Sequence, residues 1–158
     1  MNNRINIKSL IISTAIPIAV GGLSALITMG SMQDFEALNK PPLSPPGWLF
    51  PVVWTVLYIL MGISAYLVLE SKAATTDKKS ALKLYFLQLG FNFFWSIIFF
   101  TLGAYELAFL WLVILFALIL ATTKRFWSIN PLSGVLMIPY ALWVAFAGYL
   151  NLAISMLN

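Results

Sequence analysis

A chain of 158 residues that is 61% hydrophobic and 9% charged, with a mean hydropathy of +0.94, lies outside the composition of soluble domains. It contains neither cysteine nor histidine, which excludes disulfides, thiolate chemistry, histidine-based triads, zinc sites and histidine-ligated haem iron. The net charge of +4 bears on membrane topology rather than on nucleic acid, because in such a chain the distribution of charge matters more than its sum; no nucleic-acid partner and no metal centre are expected.

All fourteen charged residues fall into five short clusters. The charge-free stretches run from Ser9 to Gln33, Pro41 to Leu69, Leu84 to Tyr105, Leu107 to Thr123 and Phe126 to Asn158, and crossing a bilayer takes roughly 20 apolar residues. Every backbone polar group must be satisfied internally in lipid, and runs this long without period-2 alternation choose helices over a barrel. The expected spans are Ile7–Met29, Trp48–Leu69, Ser80–Leu102, Tyr105–Thr123 and Pro131–Leu157. The fold class is therefore all-α: residues 1–158 form a single integral membrane bundle of five transmembrane helices. The first run is too long for the apolar part of a signal peptide, and no small-residue cleavage site follows it, so it is expected to remain as a helix.

The first connection, about Gly30 to Gly47, is the longest, and its two Pro-Pro pairs impose extended backbone. A stiff loop of that length serves either as a cover over one mouth of the bundle or as a spacer. The second, Glu70 to Lys83, reads as charged and solvated. The third, at Gly103 and Ala104, is so short that spans three and four must be antiparallel neighbours. The fourth holds Lys124, Arg125 and Asn130-Pro131, with the proline free to open the last helix. With these boundaries Arg4, Lys8, Lys72, Lys78, Lys79, Lys83, Lys124 and Arg125 share one side and only Lys40 lies on the other, which predicts a cytoplasmic N-terminus and an outside C-terminus. Small residues recur every fourth position at Pro17, Gly21 and Ala25 and again at Ala141 and Ala145, stripes that let helices approach closely within the subunit or between subunits.

Polar side chains at mid-membrane depth are costly and tend to face the bundle interior. In the third span Gln88, Asn92, Trp95 and Ser96 share a face, in the fifth Pro139, Trp143, Phe146, Ala147 and Asn151, and in the second Pro51, Trp54, Tyr58 and Tyr66. Brought together, these faces make an aromatic cavity with a few fixed hydrogen-bonding groups, suited to a large, planar, mainly apolar ligand. For Asn92 the spacing serves an inter-helix hydrogen bond as well as a ligand contact. Trp48, Tyr105 and Trp127 read as interfacial anchors. No span carries an interior Asp, Glu, Lys or Arg, which argues against ion-coupled transport; Glu70 and Glu106 read as solvated helix ends.

Three motifs in order, Lys40-Pro-Pro through Pro-Pro-Gly-Trp-Leu-Phe-Pro-Val-Val-Trp54 to Tyr58 and Gly62, then Gln88, Asn92-Phe-Phe-Trp95-Ser and Phe99-Phe100, then Pro139-Tyr140, Trp143 and Leu150-Asn151, resemble the TspO/MBR family, the tryptophan-rich sensory proteins of bacteria and the translocator protein, or peripheral benzodiazepine receptor, of mitochondria. The resemblance implies a five-helix bundle in the cell membrane of a bacterium, a homodimer, and a pocket beneath the loop between the first two spans. It implies binding of protoporphyrin IX, haem and synthetic isoquinoline carboxamide or benzodiazepine ligands, and a link to tetrapyrrole regulation and stress response. Trp54, Asn92, Trp95, Trp143, Ala147 and Asn151 match the family's pocket positions, to which the stripes add Tyr58, Gln88 and Phe146. The mitochondrial sterol-recognition pattern at the end of the last span is absent: Leu150-Asn151 runs into Leu152 and the chain closes Ser-Met-Leu-Asn158, which argues against cholesterol as the physiological ligand. No cofactor is required; porphyrin enters as a ligand. Two other readings use the same cavity: an enzyme that degrades porphyrin in light, with Trp54 and Trp143 as the photochemical participants, and a transporter of porphyrin or lipid.

Overall fold

In the computed structural model residues 5–158 are described; Arg4, assigned above to the cytoplasmic side, lies outside them. Five helices are long and apolar enough to cross a membrane. In chain order they are α1 (Ile7–Thr28), α3 (Leu49–Leu69), α4 (Thr75–Ser96), α5 (Tyr105–Ile129) and α6 (Pro131–Leu157), with a short helix α2 (Met32–Glu36) in the first connection. At about 1.5 Å per residue, the 21 residues of α3 cover the hydrocarbon core of roughly 30 Å. The helices close a ring in the order α1, α3, α6, α5, α4 and back to α1, the last seam being the loosest. One end of the ring collects the basic residues; the other carries the long first connection and is called here the loop end.

Three boundaries differ from the sequence reading. The first connection is not all extended, since Met29–Ser31 makes a 3₁₀ turn and Met32–Glu36 a helix; its local bonds outweigh the pull of the prolines, which begin only at Pro41. Helix α4 starts at Thr75 rather than Ser80, within the segment read as a solvated connection. Asp77 in its first turn complements the helix dipole, and Lys78 Nζ reaches back to the carbonyls of Leu69 (2.9 Å) and Ser71 (3.1 Å) at the end of α3. Helix α5 runs past Thr123 through Lys124 and Arg125 to Ile129. Helices do not stop at the hydrocarbon boundary, and Phe126 is buried, stacked on Tyr85 with centroids 5.6 Å apart. Asn130 alone joins α5 to α6: extended itself, it accepts from the amides of Leu132 (3.0 Å) and Ser133 (3.4 Å) and so caps the helix that Pro131 begins.

Close approach defines the seams. A Cβ on Gly62 of α3 would strike the Thr14 backbone of α1, and one on Gly21 of α1 would strike the Tyr58 ring of α3. Pro17 is also buried while Ala25 is exposed, so the first two members of the α1 stripe pack inside the subunit. Between α3 and α6 the hydroxyls of Ser64 and Ser133 each donate to the other's carbonyl at 2.8 Å. Trp111 ties α5 to α4, stacking on Phe91 at 4.4 Å and donating to its carbonyl at 2.8 Å.

Candidate ligand-binding site

Helix α4 ends in a π turn, Ile97–Thr101, closed by Leu102 N–H on the Ile97 carbonyl at 3.0 Å. Such turns insert one residue and re-aim the side chains around it. Here Phe99 and Phe100, neighbours in sequence, both face a chamber at the loop end that Trp95 lines from the preceding turn. From α6, Ala147, Leu150, Asn151 and Ile154 form the opposite wall, Phe50 of α3 flanks it, and Phe35, Lys40, Ser44 and Pro45 close it from the first connection. The chamber is nearly full, with a free volume of about 30 Å³. Phe35 packs into its wall from the first connection, edge-on to Phe50 at 6.3 Å and to Phe100 at 5.2 Å and tilted against Phe99 at 5.9 Å.

The first connection is latched over this mouth. Asn39 N–H donates to Asn158 Oδ1 at 3.0 Å, Asn158 Nδ2 to the Asn39 carbonyl at 3.1 Å, and Tyr149 O–H to the Pro42 carbonyl at 2.9 Å. At the second latch the chain turns over Pro41–Ser44, where the Ser44 amide bonds the Pro41 carbonyl (3.3 Å) and Leu43 takes φ = 69°. A left-handed residue at the third position of a turn favours Gly or Asn, so Leu43 holds its place at a cost.

The residues expected from the sequence fall into three groups. Trp95, Ala147 and Asn151 stand on the chamber wall. Asn151 accepts there from Trp95 Nε1 (3.2 Å) and donates to the Tyr105 carbonyl (2.8 Å), so its carboxamide ties α4, α5 and α6 together. Deeper in the bundle Tyr58, Gln88 and Asn92 make a buried polar layer: Asn92 Nδ2 donates to Tyr58 Oη (3.2 Å), and Tyr140 O–H donates to Gln88 Oε1 (2.8 Å). Trp54 caps this layer, stacked on Tyr58 at 5.5 Å and edge-on to Tyr140 at 6.1 Å. Trp143 and Phe146 lie beside the chamber rather than on it; Trp143 meets Phe50 at 6.0 Å and Phe146 at 5.6 Å.

Spare hydrogen-bonding capacity separates these residues more sharply than position does. Asn92 Oδ1, Gln88 Nε2, Trp143 Nε1 and the Tyr85 hydroxyl are buried without a hydrogen-bond partner among the described residues. Buried groups of this kind are rare because each costs about 1–3 kcal/mol, and they mark where a polar atom of a ligand gains most. Sequence reasoning missed Phe35, Phe50, Phe99, Phe100 and Tyr140. Phe99 and Phe100 lie one turn beyond Trp95 and Ser96, and Tyr140 one turn before Trp143, so each stripe carried one turn further would have included them. Tyr105, read as an interfacial anchor, packs edge-on against Phe99 at 5.2 Å, while Trp48 and Trp127 are exposed as anchors should be.

The model of the TspO/MBR family matches residues 13–157. Protein CrtK of Rhodobacter capsulatus is 41% identical over 140 residues, covering 87% of this chain and 85% of its own length. The tryptophan-rich protein TspO of Archaeoglobus fulgidus is 36% identical over 154 residues, 97% of this chain and 99% of that protein. The human translocator protein is 35% identical over 121 residues, 76% of this chain and 72% of its own.

Proposed function

The chain belongs to the TspO/MBR family, and from that premise we propose that this integral membrane protein binds a planar tetrapyrrole, protoporphyrin IX or haem, in the chamber beneath its first connection, in the service of tetrapyrrole regulation and stress response. The observation that carries the reading is the chamber wall itself, built from the rings of Phe50, Trp95, Phe99 and Phe100 with almost no charge. Such a wall stacks on any flat conjugated ring. Ligand pockets span roughly 300–1,000 Å³, so with 30 Å³ free the first connection has to lift off the mouth, carrying Phe35 with it. Titration of detergent-solubilised protein with protoporphyrin IX in darkness should give saturable quenching of tryptophan fluorescence, and Phe35→Ala should tighten it. Non-saturating uptake, the same as by an unrelated membrane protein, would overturn the reading.

Light-dependent breakdown of the bound porphyrin is a second reading, favoured by the indole of Trp95 on the wall and that of Trp143 one ring behind, against Phe50. No carboxylate lines the chamber, and the chain has neither histidine nor cysteine, so the reactivity would come from the illuminated ligand and dioxygen rather than from a general acid, base or nucleophile. Under illumination Trp54→Phe and Trp143→Phe should each suppress a defined product more than they weaken binding. Equal loss of porphyrin in the double variant leaves only the binding protein.

A further inference from the structure

At the basic end, away from the chamber, the last turns of α5 carry an open groove of about 450 Å³ lined by Leu120, Thr123, Lys124, Trp127 and Ser128. Residues three and four apart share one helix face, so these five form a single strip that passes from apolar to polar. Leu120, like Val113 and Ile114 before it, is exposed, as a side chain against lipid tails should be. Trp127 is held in place: its ring lies where a Cβ on Gly134 of α6 would come within 2.7 Å of Cε3, yet it stays 46% exposed toward the groove. Thr123 and Ser128 spend their hydroxyl protons on the carbonyls of Ile119 and Arg125, each at 2.8 Å, which leaves both oxygens as acceptors. No hydrogen bond or ion pair among the described residues engages the Lys124 ammonium or the Trp127 indole N–H, so these are the donors. From Leu107 to Asn158 the only charged residues are Lys124 and Arg125, and the acids of the basic end, Glu70 and Asp77, stand at the join of α3 and α4.

We infer that this groove binds the headgroup of an anionic phospholipid that carries hydroxyls, as phosphatidylglycerol does, in the leaflet at the basic end. The ammonium and the indole N–H hold the phosphate, the Thr123 and Ser128 oxygens accept from the glycerol hydroxyls, and an acyl chain runs along Leu120 into the bilayer. A choline headgroup brings a fixed cation toward Lys124 and Arg125 and has no proton to give the two hydroxyl oxygens, so phosphatidylcholine is selected against. Basic residues and tryptophan gather at membrane interfaces in general; here a concave site with matched donors and acceptors turns that preference into recognition of one headgroup. The inference is independent of what the chamber binds.

The test places the full chain in phosphatidylcholine nanodiscs and adds, at equal low fraction, phosphatidylglycerol or phosphatidylcholine with brominated acyl chains. The signal is the part of the tryptophan quenching that disappears in Trp127→Phe and so belongs to Trp127. Brominated phosphatidylglycerol should be enriched about fivefold over brominated phosphatidylcholine, the scale of one basic residue near an anionic surface. Lys124→Gln should erase that preference and Lys124→Arg keep it, with thermal melts of each variant run in the same discs. Lys72→Gln, the same loss of charge on the connection from α3 to α4, should leave it unchanged. Equal quenching by the two lipids in the wild type, a preference that survives Lys124→Gln, or an equal loss in Lys124→Gln and Lys72→Gln would overturn the groove and leave only a basic surface. Displacement of the lipid by soluble glycerol phosphate would overturn the lipid as occupant in favour of a free anion.

Discussion

Two asparagines on facing stripes look alike in sequence and differ in what they have left to give. Asn151 uses its carboxamide on Trp95 and Tyr105, whereas Asn92 donates to Tyr58 and keeps a buried acceptor free. Asn151→Ala should therefore act on the fold, breaking two ties and leaving Trp95 Nε1–H unpaired in a buried place, a loss of about 1–3 kcal/mol visible as a lower midpoint in a detergent melt. Asn92→Ala leaves the Tyr58 hydroxyl without its partner but also removes an unpaired buried acceptor, so it should cost less stability than Asn151→Ala and show its main effect in ligand titration. If the two variants melt alike and bind alike, the distinction between a structural and a recognising carboxamide is wrong. Glycine makes a comparable point at a seam: a Cβ at Gly134 would come within 2.8 Å of the Trp127 backbone, which cannot yield as a side-chain tip does. Gly134→Val should accordingly cost about 1–3 kcal/mol through overpacking, in contrast to Gly90→Val, where nothing lies within 4 Å.

At the scale of elements, the two ends of the ring are built differently. The basic end is held by caps: Asn130 between α5 and α6, Lys78 on the last carbonyls of α3, and Asn6 accepting from the Ser9 amide at 3.2 Å to start α1. Loss of one such cap costs about 1 kcal/mol, so Asn130→Ala should lower the melting midpoint without altering ligand binding. The loop end is held instead by side-chain latches, Asn158 on Asn39 and Tyr149 on Pro42. Strain at Leu43 belongs to this end. A left-handed conformation costs an ordinary L-residue about 1–2 kcal/mol, and Gly is free of it; Leu43→Gly should leave the protein as stable or slightly more so, and Leu43→Val should destabilise the turn. Matching melts for all three proteins would show that φ = 69° at this position carries no cost.

For the whole molecule, orientation follows from the distribution of charge, and we expect the basic end in the cytoplasm. The chain has no cysteine to remove first, so Lys72→Cys at the basic end and Gly47→Cys at the loop end, both exposed, suffice. An impermeant thiol reagent on intact cells should label Gly47→Cys and spare Lys72→Cys; the reverse pattern would invert the topology. The number of spans, their helical character and the basic asymmetry were legible in the sequence, because the cost of burying charge and unpaired backbone in lipid is paid locally, residue by residue. The stripe of Gln88, Asn92 and Trp95 was legible for the same reason. What the stripes could not carry was how they close: α6 sits between α3 and α5 in the ring, Asn151 is tied to Trp95 and Tyr105, and Trp143 meets Phe50. Nor could they show which side chain of the first connection, read as either a cover or a spacer, meets the chamber: Phe35 lines it, with the Lys40 ammonium 4.7 Å from its ring centre. Periodicity reports which face of a helix avoids lipid; which of the side chains on that face still has a bond to give depends on partners far away in the chain, and only the tertiary structure brings those partners together.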